Sequence, residues 1–187
     1  MSKFSEESLL LIRNWDAYKD ILKSGEHLKT ELNSVRSAIE GRLRKQDWWN
    51  DRWVFWKNDP TQIAFTDSRW EIEDGHLIWV GLEGFAPDAV FGDDPPPFMY
   101  VWISGKRPEL KVELQRIIKV SGKTIVGDFP KAQTSYVVEK SLSKCLPEQV
   151  DKLEDMMFFP LADFCEFYSQ FFEEFNKAAQ KHLKIGK

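Results

Sequence analysis

Cysteine is scarce. The chain holds two, Cys145 and Cys165, and no Cys-x-x-Cys spacing. Two cysteines make no disulfide framework and no structural zinc cluster, so reduced thiols are expected. Cys165 lies in the apolar run Leu161–Phe167 and reads as a small core residue. The three histidines, His27, His76 and His182, fall in separate segments, and none pairs at i, i+4 with another ligand in a zinc pattern. No stretch approaches the ~20 apolar residues of a membrane span. The opening residues Met1-Ser2-Lys3-Phe4-Ser5-Glu6-Glu7 lack the basic and apolar regions of a secretion signal, so a cytoplasmic location is expected. A Gly-x-Ser-x-Gly elbow is absent. Ser121-Gly122-Lys123-Thr124 has the tail of a phosphate-binding loop, but Ile117 stands where that loop needs its first glycine. It reads as a basic turn, and no cofactor is expected.

What is present is an ordinary globular balance of 42% hydrophobic and 30% charged residues, which excludes wholesale disorder. At 187 residues one domain is expected, burying roughly 70% of its unfolded surface without covalent staples. The net charge of −4 speaks for solubility. Residues 67–94 carry eight acids against Arg69, and residues 105–124 carry six bases against Glu109 and Glu113. Such blocks are expected to neighbour and partly neutralise each other.

The patterning predicts an N-terminal helical hairpin over 5–45, a sheet region over 48–142 and a helical region over 147–185. Ser5 is a candidate N-cap for a helix to residue 23, with Gly25 as its stop. Leu28, Leu32, Val35, Ile39 and Leu43 then form one stripe of a second helix. Short β-branched and aromatic runs follow at 53–56, 62–66, 69–73, 76–82, 98–103 and 135–140. Asp74-Gly75 is the strongest hairpin-turn signal among them. Residues 84–97, with Pro95-Pro96-Pro97, are expected to form an irregular and mobile loop. Pro108 opens a helix to about Lys119, and Pro160 is expected to divide the last region into two helices. The fold class is therefore α+β: an antiparallel meander of five to six strands with helices before and after it.

Two constellations bear on function. Pro87-Asp88 with Glu109-Leu110-Lys111 has the residue order of a nuclease-type metal site, in which the acids hold a hard cation. Yet Glu109 and Lys111 fall in a predicted helix, where positions i and i+2 do not share a face. Glu71 and Glu73 alternate along one strand and could join Asp88 or Asp67. The second constellation is tryptophan. Eight are present, four of them within nine residues: Trp48, Trp49, Trp53 and Trp56. Strand alternation puts Trp53 and Phe55 on one face and Val54 and Trp56 on the other. A core needs one such face, which leaves aromatic area for a partner. Basic neighbours such as Arg52 also suit stacking on single-stranded nucleic acid, and full burial in the core is the third reading.

The expectation is a non-catalytic binding or regulatory module acting through protein contacts by way of Trp48, Trp49, Arg52, Trp53 and Trp56 and of Phe91 in the proline-rich loop. The alternative is a metal-dependent hydrolase of nucleic acid using Asp88 with Glu71, Glu73 or Glu109. A protein partner is expected ahead of nucleic acid, with no membrane, and with the chain a monomer or a homodimer.

Overall fold

The computed structural model describes residues 5–56, 59–73, 75–105, 107–130 and 134–185. The order of elements is α1 (Glu6–Arg13), α2 (Trp15–Leu43), β1 (Trp53–Phe55), β2 (Gln62–Asp67), β3 (Glu71–Ile72), β4 (Gly75–His76), β5 (Ile78–Glu83), α3 (Pro87–Val90), β6 (Phe98–Ile103), α4 (Pro108–Val120), β7 (Tyr136–Ser141), α5 (Leu153–Ser169) and α6 (Phe172–Ile185). Strands β1, β2, β5, β6 and β7 form one antiparallel sheet in that spatial order. The meander expected from the hairpin signals is present, with helices on both sides of it in the chain.

The excursion between β2 and β5 differs from expectation. Residues 69–73 do not extend the sheet. Ser68–Trp70 is a 3-10 turn, and β3 and β4 make a separate two-residue ribbon. In that ribbon Ile72 pairs with Gly75, so Gly75 is a strand residue of β4 rather than a turn position. Asp74 itself lies outside the described residues. The reason for the detour is Asp67: its carboxylate caps the Arg69 backbone N–H at 2.9 Å and takes the Arg69 guanidinium at 2.8 Å. Arg69 also reaches Glu173 of α6 at 3.0 Å, and Gln180 donates to the Arg69 carbonyl at 2.8 Å. The excursion is thus tied to the last helix.

Two helix breaks also fall elsewhere, and one loop is held in place. Ser5 does cap α1, accepting from the Ser8 N–H at 3.2 Å. The helix break, however, is at Asn14, and α2 runs for 29 residues straight through Gly25. Pro160 likewise lies inside α5, and the division comes at residues 170–171. Residues 84–97 are anchored rather than open. Phe85, Ala89 and Val90 are buried, and α3 forms among them. Backbone bonds join Phe85 to Thr61, Cys145 to Val90 and Leu142 to Pro97.

The core lies on one side of the sheet. Leu32, Ile39 and Leu43 of α2, Leu110, Leu114 and Ile118 of α4, and Met157, Leu161 and Phe164 of α5 form one cluster with the inward strand residues. The aromatic stripe Phe164, Phe171, Phe175, with Tyr168 and Phe172, is buried in it. Arg42 fastens α2 to α5, pairing with Glu154 at 2.8 Å and Asp155 at 2.7 Å while its guanidinium lies 3.7 Å from the Phe158 ring centroid. Among the described residues no helix is long and apolar enough to cross a membrane.

The continuity of α2 has a direct test. A Cβ on Gly25 would meet nothing within 4 Å. In a helix glycine costs about 0.5–1 kcal/mol relative to alanine. Gly25→Ala is therefore expected to slow amide exchange of residues around 25 by that amount. Faster exchange would mean that a turn, not a helix, occupies the position.

Candidate functional site

Side chains alternate across a strand, so each strand of the sheet offers one set to the helices and one to the outside. In this sheet the two sets differ in kind. Ile63, Phe65, Ile78, Val80, Leu82, Met99, Val101 and Ile103 are all buried against the helices. The opposite set is aromatic and polar. Trp79 pairs with Trp102, and Trp102 with Tyr136. Gln62 pairs with Glu83, and Glu83 with Phe98. Ala64 pairs with Gly81, and Gly81 with Tyr100. Trp56, Trp79, Phe98, Trp102 and Tyr136 are half-exposed and stand apart from the core cluster.

Apart from Phe98, these side chains line a hollow of about 520 Å³, a size typical of ligand pockets. Its lining includes Ala64, which carries little side chain and pairs with Gly81 of the next strand. Trp56, Trp79 and Trp102 supply its indoles. Trp56 and Trp79 meet edge to face with centroids 5.1 Å apart, and His76 meets Trp79 in the same way at 5.2 Å. Such edge-to-face contacts hold ring orientation.

The polar groups are fixed as well. Tyr136 donates to Glu83 Oε2 at 2.7 Å, and Tyr100 donates to Gln62 Oε1 at 3.3 Å. Burial pushes both phenols up, and for Tyr136 the bond to Glu83 adds to it. The Asp59 carboxylate accepts from the Thr61 N–H at 2.8 Å and hydroxyl at 2.7 Å. Burial lowers the His76 pKa, with Glu71 opposing, and so favours the neutral ring. Among the described residues lining the hollow, Asp59 and Glu83 are acidic and none is Lys or Arg. Neither carboxylate has a salt-bridge partner among the described residues.

The tryptophan segment singled out from sequence divides between the two sides. Trp53 is buried, 4.6 Å from Phe172 and 5.7 Å from Trp70 by ring centroids. Trp48 stacks on Phe65 at 5.5 Å, and Trp49 on Phe55 at 4.8 Å. These three belong to the core and its margin. Arg52 is exposed and faces Asp67 and Glu173, each at 3.6 Å. Phe91 is half-buried against the core beyond α3. Trp56 alone of the group lines the hollow. Of the segment's basic residues, Arg44 lies with its guanidinium 4.8 Å from the Phe55 ring centroid.

The carboxylates of the hydrolase reading are scattered. Asp88 lies in the four-residue α3, Glu71 in β3, Glu73 in the turn after it, and Glu109 in the first turn of α4. Lys111 is buried and donates to the Thr134 carbonyl at 2.9 Å, whereas Glu109 faces solvent, as helical spacing requires. Among the described residues no three His, Cys, Asp or Glu side chains gather as a metal ion would need.

Comparison with known protein families, with curated proteins and with solved structures finds no match. The geometry of the outer sheet face is thus the whole basis for a functional reading. Sequence reasoning missed Trp79, Tyr100, Trp102 and Tyr136, although a signal for the first three was present. In Ile78–Glu83 and Phe98–Ile103 the aliphatic residues share one parity and the aromatic residues the other.

Proposed function

We propose that the chain is a non-catalytic binding module that holds a segment of a protein partner against the outer face of its sheet. The observation that carries this reading is the hollow of about 520 Å³ lined by Trp56, Trp79 and Trp102, side chains that stand outside the core cluster. Tryptophan supplies rigid contact area at little conformational cost and dominates binding hot spots. Ala64 in the lining leaves a partner side chain access to the sheet itself.

Selection of displayed linear peptides on the purified protein tests the reading. Binders are expected to lose about thirtyfold or more in affinity against Trp102→Ala, the size of a hot-spot truncation, and to keep their affinity for Arg52→Ala. Thermal melts establish that both variants fold. Binders indifferent to Trp102→Ala and Trp79→Ala, or no binders at all, would overturn it.

A further inference from the structure

The hollow carries a chemical preference as well as a shape, and this inference rests on the binding reading above. The geometry points to an arginine side chain of the partner as its occupant.

The argument is one of charge and of ring faces. Asp59 and Glu83 both line the hollow, and among the described residues neither carboxylate has a Lys or Arg within ion-pair distance; Arg36 of α2 donates instead to the Asp59 backbone carbonyl at 3.3 Å. Two unanswered carboxylates in a half-enclosed aromatic site are costly to desolvate unless the ligand brings the positive charge. Glu83 is held from one side by Tyr136, whose bond occupies Oε2 and leaves Oε1 without a hydrogen bond among the described residues. Asp59 is held by Thr61 through Oδ1. Both acceptors are therefore set in place before a ligand arrives.

The walls select the kind of cation. Indole is the best aromatic partner for a cation over its face. A guanidinium is flat, is weakly hydrated, and stacks on a ring while its N–H fork reaches a carboxylate; an ammonium is a compact and strongly hydrated point charge. A hollow lined by three indoles and two carboxylates suits the first better than the second. The cavity exceeds one side chain in volume, which leaves room for the flanking backbone of an extended segment.

The test follows the tryptophan indole N–H signals by nuclear magnetic resonance, assigned by single substitution, during titration with two peptides. One is acetyl-Gly-Ser-Arg-Ser-Gly-amide. The other carries citrulline in place of arginine, with the same shape and no charge. The arginine peptide is expected to shift Trp56, Trp79 and Trp102 saturably and to leave the buried Trp53 and Trp70 in place. Citrulline should bind about tenfold more weakly or worse, as loss of a charge-assisted hydrogen bond implies. Glu83→Gln, which keeps an acceptor for Tyr136, should cost the arginine peptide a similar factor and the citrulline peptide nothing. Asp59→Asn serves as the second variant, and unmoved Trp53 and Trp70 signals report that each variant is folded. Equal affinity for the two peptides, or an arginine affinity unchanged by both variants, would overturn the choice of arginine while leaving the sheet face as a protein-binding surface. Absence of any shift with the arginine peptide would overturn it too. Failure of the displayed-peptide selection, by contrast, would remove the binding reading itself.

Discussion

Trp70→Ala is expected to lose about 3–5 kcal/mol of stability, the range for removing a large buried aromatic. Trp70 has no exposure at all. It meets Trp53 and Phe172 edge to face, at 5.7 and 6.0 Å between centroids, and so joins the 3-10 turn after β2 to β1 and α6. The excursion is short and its ribbon has two residues per strand, and Trp70 is the largest of the apolar side chains, with Leu77 and Ile72, that hold it to the core. Denaturation in urea measures the loss. Trp70→Phe provides the control. The Trp70 indole N–H is buried with no acceptor among the described residues, so phenylalanine gives up no hydrogen bond and keeps most of the ring packing. It should cost clearly less than alanine. An alanine variant within about 1 kcal/mol of the parent would mean that Trp70 is not a core residue, since surface changes stay near or below that size.

The second large effect is expected at Gly81. A Cβ there would lie 2.2 Å from the Ile63 carbonyl oxygen and 2.7 Å from the Ala64 Cα. Both are backbone atoms of the paired strand β2, so no side chain can swing aside. The φ of Gly81 is not in the left-handed region, and the restriction is one of space alone. Gly81→Ala must push β2 and β5 apart in the middle of the sheet, at a cost of about 3 kcal/mol or more, the upper end for overpacking. Gly25→Ala, which meets nothing, makes the matched comparison. If Gly81→Ala left the urea midpoint unchanged, the close approach of the two strands would be refuted.

Much of the fold was legible because local signals and burial agreed. The hairpin of β1 and β2, the helix from Pro108 and the strand at 136–141 all stand where period and turn chemistry put them. The misplaced boundaries are those where one residue type was read as a stop. Gly25 costs a helix about 1 kcal/mol, too little to end α2 when Leu32, Ile39 and Leu43 bury the same stripe beyond it. Pro160 costs about 3 kcal/mol. Met157, Phe158, Leu161 and Phe164 are buried around it, and each such burial contributes about 1.5–3 kcal/mol. The strand expected at 69–73 gives way to a local Asx turn, Asp67 capping the Arg69 N–H, and to a contact that no local pattern contains, the hold of Arg69 on Glu173. The same limit hid most of the candidate site. Trp48, Trp49 and Trp53 drew attention by clustering in sequence, yet of that cluster only Trp56 lines the hollow, and Gln62, Trp79, Glu83, Tyr100, Trp102 and Tyr136 reach it from β2, β5, β6 and β7 through strand register.

The separation of aliphatic from aromatic positions across this sheet also bears on how such a protein can change. Positions 79 and 102 alternate with residues that hold the core, yet are themselves absent from it. Substitutions there change the outer surface and leave the packing beneath intact. A lineage carrying this scaffold can therefore vary its outward residues one at a time, with the inward residues retaining the fold throughout. The exception is Gly81, fixed by the backbone of its neighbour, so the middle of the sheet stays constant while the side chains around it are free to vary.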